Sequence, residues 1–321
     1  MNSNRTHKGF TLVEVLLAAG ILVIGLILVA GAFPLGIKMT TVSTERTIGT
    51  IVADEAFAKI RLYSLPETYD GTGTGTWGVD TRSATTLLRT TSFNIFSEDI
   101  LHQTFAAGQF EDELSWPSTD TVDDKYYHWS ALLKYVKPES GYPTDVQAVV
   151  FVSRITGSGT VSPKPFGALY PNPLDLNRTD SAVPDFLEVP RPIPVPVDTS
   201  GFTTVEYITS LPLYSDGLDE SDGDYDDVEL KRYITEGSVL VMINAQLPNE
   251  TMILNVLDID INEMNPNNVV VNLAEKILNT RVSNYFWMIP TCVVISGPSG
   301  SSETHSRRNP CIGVFQEQIA F

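Results

Sequence analysis

From Phe10 to Ile37 the chain runs for 28 positions with a single ionisable side chain, Glu14. A helix over that stretch is about 42 Å long, enough to cross a bilayer. Beyond it Ile48, Val52, Ala56 and Ile60 recur every fourth residue, while Thr47, Asp54, Glu55, Lys59 and Arg61 take the other faces. That spacing predicts one long helix to about Tyr63, whose second half, 38–65, is amphipathic and packs on a head. Pro34 removes one backbone hydrogen bond, so it is expected either to kink or locally melt the helix or to stop it just outside the membrane. Pro66 and the run from Gly71 to Gly78 end the pattern. Gly73 to Gly78 matches G-x-G-x-x-G in letters, but it follows a helix and a turn rather than a strand, and it reads as a Thr/Gly loop.

Downstream the period changes to two. Strand-like runs occur at Tyr126–Val136, Val146–Ile155, Phe202–Ile208, Ser238–Gln246, Met252–Ile259, Val269–Leu273, Tyr285–Ser296 and Ile312–Phe321. Thr86–Gln103 carries an ambiguous helix signal. One N-terminal helix followed by strands predicts an α+β fold, with the helix packed on a mostly antiparallel β-sheet head spanning 66–321. Tyr127, Trp129 and Ala131 alternate with Tyr126, His128 and Ser130, which predicts one core face and one partly exposed face. Val189–Val197 alternates with prolines and is expected to be an extended, semi-rigid surface connector, the place where the head would divide into two lobes.

Composition narrows the function. The 321 residues hold 21 Lys plus Arg against 39 Asp plus Glu, a net charge of −18. Such a field repels phosphates and argues against an extended nucleic-acid interface. Two cysteines and four scattered histidines leave little for a zinc or histidine metal centre. There is no P-loop, no H-E-x-x-H and no nucleophile elbow, because Gly297-Pro298-Ser299-Gly300-Ser301 lacks its closing glycine.

The leader, Met1 to Gly9, carries Arg5 and Lys8 and no acid, which holds it in the cytoplasm and sends the following chain outward. Three readings fit this segment. A secretory signal could be cut at Ala30-Gly31-Ala32 to start the chain at Phe33, although the apolar stretch is long for one. A permanent anchor has no reason to carry Glu14, since a carboxylate at mid-bilayer costs about 2.5–3.5 kcal/mol. The third reading rests on Lys8-Gly9-Phe10-Thr11-Leu12-Val13-Glu14-Val15-Leu16, which resembles the processing site of type IV prepilins and type II secretion pseudopilins. The resemblance covers about the first 55 residues. It implies a prepilin peptidase that cuts after Gly9 and methylates Phe10. Glu14 then falls at the fifth mature position, where the family has its characteristic Glu, and would neutralise the terminal amine of a neighbouring subunit. Buried unlike charges are tolerable when paired, so such a pair sets the stagger between subunits. In the family a helix-breaking Pro lies near the position of Pro34 and lets the fibre extend.

Two further constellations remain. Asp216 to Glu229 holds eight acids in fourteen residues. Either this is a solvated acidic loop or a structural Ca²⁺ gathers it, with Asp222, Asp224 and Asp226 as ligands. The Asp222-x-Asp224-x-Asp226 spacing resembles the start of calcium loops, yet Asp227 replaces their Gly and Tyr233 stands where the closing acid belongs. Cys292 and Cys311 enclose 18 residues. The pair is similar to the C-terminal disulfide loop of many type IV pilins, with two buried thiols as the alternative. Arg307 and Arg308 would place positive charge on that loop.

The resemblance thus implies a structural, non-enzymatic subunit, a minor pilin or pseudopilin. It would be a single-pass inner-membrane protein with its N-terminus in the cytoplasm, then part of a periplasmic or cell-surface filament. The domains would be a leader at 1–9, a membrane and fibre-core helix at 10–37, its continuation at 38–65, and the head. Partners would be the prepilin peptidase and other pilin subunits. The size of the chain after loss of nine residues favours a minor role, and Glu14 disfavours a strict tip position. The alternative is a fibre-borne, Ca²⁺-dependent adhesin or substrate-binding module; an enzyme on an uncleaved anchor is the third.

Overall fold

The computed structural model describes residues 11–63, 94–96, 114–116, 127–136, 145–154, 168–171, 186–187, 190–213, 233–247, 250–261, 269–296, 302–305 and 309–320. By its internal contacts the chain forms two units, Met1–Ile48 and Gly49–Phe321. Helix α1, Leu12–Tyr63, supplies all of the first unit's described residues but Thr11, and the start of the second. The helical assignment runs unbroken through Pro34. In the first unit the apolar positions from Leu12 to Met39 are exposed. A window of this helix reaches a mean hydropathy of 2.9 with none of it buried, the length and composition of a membrane crossing.

The second unit is built in layers. The strands are β1 (Asn94–Phe96), β2 (Ser115–Trp116), β3 (Tyr127–Val136), β4 (Asp145–Arg154), β5 (Ala168–Pro171), β6 (Phe186–Leu187), β7 (Ile193–Pro196), β8 (Tyr207–Pro212), β9 (Val239–Ile243), β10 (Thr251–Ile261), β11 (Val269–Leu278), β12 (Tyr285–Met288), β13 (Val293–Ser296), β14 (Ser302–His305) and β15 (Cys311–Ala320). All their pairings are antiparallel. One sheet runs β1-β3-β4-β15, with β2 also on β3; a second runs β7-β12-β9-β10-β11-β8; a third, β14-β13-β5-β6. The expected α+β architecture is what the chain adopts.

The α1 stripe Val52, Ala53, Ala56, Phe57 and Ile60 is buried. Gly49 lets the helix approach β15, where the position of its missing Cβ lies 3.5 Å from the Phe315 ring. About three helical turns further on, Arg61 is paired with Glu317. Phe315 and Glu317 share a sheet face with Trp129, Ala131 and Leu133 on β3 and Ala148, Val150 and Val152 on β4, as the register requires. Those six residues are at most 1% exposed. The opposite face of the same sheet carries Leu132, Val149 and Phe151, and these pack with Val241, Trp287 and Ile289 from β9, β12 and the segment after it. Both faces of β3 are therefore buried, and the expectation of a partly exposed His128–Ser130 face is corrected. The second layer that covers it comes from residues far along the chain.

The second sheet closes on itself. Val197 bridges Leu213, and the Asp198 amide donates to the Pro212 carbonyl at 2.9 Å. These contacts link the first and last strands of the order into a small barrel, whose interior draws Ile193, Val195, Leu211, Leu240, Met242, Leu254, Val271, Phe286 and Met288 from all six strands. Ile193–Pro196, expected as a surface connector, is instead a buried strand. Alternate residues Ile193, Val195 and Val197 point into the barrel, while prolines in β7 tolerate the position next to the closure where few ladder bonds are needed. The expected single strand Tyr285–Ser296 is split into β12 and β13, with Pro290 in the break, where it has no N–H to donate. Phe202–Ile208 is displaced to Tyr207–Pro212, and Val269–Leu273 extends to Leu278.

The barrel is nested. β4 and β15 are hydrogen-bonded neighbours, and the Arg154 amide donates to the Pro310 carbonyl at 2.9 Å. Residues 155–310, barrel included, occupy what would otherwise be the turn of a β4–β15 hairpin.

Candidate functional site

Thr11 and Glu14 open α1. The Thr11 amide and hydroxyl each donate to Glu14 Oε2 at 2.9 Å, and the Glu14 amide donates to Thr11 Oγ1 at 3.3 Å. This reciprocal arrangement is a capping box, which satisfies helix N–H groups that have no partner in the preceding turn. The carboxylate is thus held against its own helix start, on an otherwise apolar and exposed surface. Helix N-termini favour negative charge, so the position suits a carboxylate even where the surroundings are hydrocarbon. The Thr-x-x-Glu pattern is the sequence signal of this cap. Gly9 and Phe10, the expected processing site, lie outside the described residues.

Further along the same helix, Val29, Ala32, Phe33, Gly36, Ile37, Thr40 and Thr41 line a shallow apolar groove. The hydroxyls of Thr40, Thr41, Thr44 and Thr47 donate to the carbonyls of Gly36, Ile37, Thr40 and Ser43 at 2.9–3.0 Å. Their donors are satisfied within the helix, so this segment presents little unmet polarity to an apolar neighbour. Pro34 sits beside this groove.

Cys292, buried, and Cys311, half-buried, are not joined to each other, so the expected bridge is not formed in the structure. Cys311 opens β15 opposite Ser153 and turns its thiol along its own strand, where Sγ lies 3.5 Å from the Gly313 carbonyl. Burial pushes that thiol up to about 12, partly offset by the bond to Gly313. Cys292 lies between β12 and β13. The acidic stretch with Asp222, Asp224 and Asp226, the loop arginines Arg307 and Arg308, and the Gly71–Gly78 run lie outside the described residues. Among the described residues, no three His, Cys, Asp or Glu side chains are grouped as metal ligands are.

Polar side chains also gather where sequence reasoning expected a solvent face. His128, Ser130 and Ser153 are 1–2% exposed, Thr291 is fully buried and Arg191 nearly so. His128 lies opposite Ser153, and Ser153 opposite Cys311, giving one row across three strands. Among the described residues, neither ring nitrogen of His128 finds a hydrogen-bond partner, nor do the hydroxyls of Ser130, Ser153 and Thr291. Burial, with the positive charge of Arg191 second, holds the imidazole down to about 3, so it is neutral at physiological pH.

Residues 4–30 match the family model of the prokaryotic N-terminal methylation motif. That match supports the type IV pilin and pseudopilin family, and a subunit processed as such proteins are. It implies processing by prepilin peptidase and assembly with other pilin subunits in general terms. The family is structural rather than enzymatic. An N-terminal apolar helix with this motif fits membrane anchoring followed by a filament. No curated protein and no solved structure matches the chain.

Proposed function

We propose that this chain is a minor pilin or pseudopilin, a structural subunit of a type IV pilus or of a type II secretion-like filament. It waits in the inner membrane with its N-terminus in the cytoplasm, is cut by prepilin peptidase after Gly9, and is methylated on Phe10. The apolar helix then enters the fibre core, where Glu14 exchanges its capping contacts with Thr11 for the terminal amine of a neighbouring subunit. One observation carries the reading: the methylation motif at 4–30 opens an exposed apolar helix whose membrane-length part holds a single carboxylate. In an isolated subunit the described contacts of that carboxylate amount to its half of a capping box, a place that Gln fills as well. A fibre with buried amines rewards the carboxylate.

Mass spectrometry of the mature N-terminus from the native host tests the reading. A chain that begins with N-methylated Phe10 supports it. Retention of Met1, or a start at Phe33, overturns it.

A second reading, a fibre-borne binding module, gains support from the nested barrel, which has a core of its own and interrupts a hairpin rather than extending the sheet. If Asp222, Asp224 and Asp226 hold Ca²⁺, chelation abolishes surface binding while filaments remain intact.

A further inference from the structure

The seam between the five-stranded sheet and the barrel is chemically unlike either core. Its apolar part is small: Leu132, Val149 and Phe151 meet Val241, Trp287 and Ile289. The barrel's interior cluster is larger and independent of it. On the same sheet face, further along β3, stands His128, buried to 1% with both ring nitrogens unpartnered among the described residues. Leu132, Ser130 and His128 follow one another at every second position, so the ring points to the barrel side of the sheet.

We propose that this seam is an acid-operated latch, in which protonation of His128 releases the β9–β12 side of the barrel from the sheet while the barrel keeps its own interior. An imidazolium carries two N–H donors and a full charge, and the described groups around it answer with neutral hydroxyls and a second cation rather than an anion. The groups that face it sharpen the effect. From the segment ahead of β7, Arg191 adds a charge of the same sign. From β15, across Ser153, Cys311 offers a thiol that stays protonated. The hydroxyls of Ser130, Ser153 and Thr291 are neutral, and the barrel residues of the seam are apolar. Among the described residues, no carboxylate acts on His128 to stabilise its charge.

The sign follows from which state binds the proton. An opened, hydrated His128 takes a proton near its ordinary 6.5, whereas the closed seam resists one down to about 3. Between those limits the opening constant rises tenfold for each pH unit of acidification, about a hundredfold by pH 4.5. Opening uncovers Leu132, Val149 and Phe151 on the sheet, together with the outward face of β9 and β12.

Hydroxyl-radical footprinting of the full chain in detergent micelles, read by mass spectrometry from pH 7 to pH 4.5, tests the latch. Trp287 reports the seam, and Met242 and Met288 report the barrel interior. The expected result is a steep rise in Trp287 labelling on acidification while both methionines stay protected, with His128→Gln and His128→Leu flat over the range. Protection of Trp287 down to pH 4.5 overturns the proposal. So does simultaneous labelling of all three residues, which is unfolding of the whole head, and so does an acid transition that survives in His128→Gln. Should His128→Leu fail to fold, His128→Gln decides alone; if His128→Gln already labels at pH 7, the ring acts by packing and the latch is refuted.

Discussion

A single carboxylate in a run of apolar side chains has to be explained by what it touches, and in this protein Glu14 touches Thr11 twice. The cap is a local resting place, and in the proposed filament the terminal amine of a neighbouring subunit would be a second one. Replacing Glu14 with Ala is expected to leave the subunit in the membrane fraction and to remove it from sheared filaments, as immunoblots of both fractions would show. Thr11→Ala takes away the hydroxyl alone and should cost the helix start about 1 kcal/mol, a partial defect in the same assay. Cys311 offers a cleaner chemical check. With its thiol pushed up to about 12, it should react with a disulfide reagent at pH 8 roughly a thousandfold more slowly than an ordinary cysteine, and unfolding in guanidinium should restore the rate. At this scale the sequence was legible wherever chemistry is carried by adjacent letters. Lys8-Gly9-Phe10 and Glu14 needed no fold to be recognised. His128 was misread because alternation tells which residues share a face but not how many faces are covered.

Elements meet through small residues as much as large ones. A Cβ at Gly313 would lie 2.8 Å from the Phe315 ring, the same ring that packs near Gly49 of α1. Gly313→Ala must push that aromatic toward the helix and is expected to destabilise the head by about 1–3 kcal/mol, measurable as a shift in urea midpoint. Gly49→Ala is expected to do the reverse. Its new methyl has ordinary contact at 3.5 Å, and the helix loses a residue that costs it about 1 kcal/mol relative to Ala. The long helix and the strands β3, β4, β10 and β15 were readable within a residue or two from periodicity, and β9 within three. Where prolines intervened, the reading failed in two directions. Pro290 broke a run that looked continuous, whereas the prolines of β7 hid a strand whose Ile193, Val195 and Val197 alternate as any buried edge would. Proline composition signals a lack of donors, and a barrel closed by a single bridge has positions that need none.

Across the whole molecule, acid should weaken the head, and the direction is fixed by His128. Its native form resists a proton down to about 3, while the unfolded chain accepts one near 6.5. Its neutral burial thus supports the fold at neutral pH, and that support falls by up to about 1.4 kcal/mol per pH unit between those limits. Denaturant melts at pH 7, 6 and 5 should show the decline, and His128→Gln should flatten it. The antiparallel class of the head was legible, but its nesting was not. That β4 pairs with a strand lying beyond the entire barrel is a long-range fact, and no local pattern encodes which distant strands find each other.

The 2.9 Å bond from the Arg154 amide to the Pro310 carbonyl has a consequence for how the chain reaches this state. β15 can seat on β4 only after a very long loop has closed, and closure entropy makes so distant a pairing slow. A barrel that condenses first brings the two ends within bonding distance and shortens that loop to a few residues in effect. On the proposed topology the head is exported, its last sheet strand would cross the membrane behind the barrel, and until then the edge of β4 would stand open to any passing strand. On that topology the period of greatest risk for misassembly is the interval between emergence of Arg154 and arrival of Cys311, and a chaperone that served this protein would have its work there.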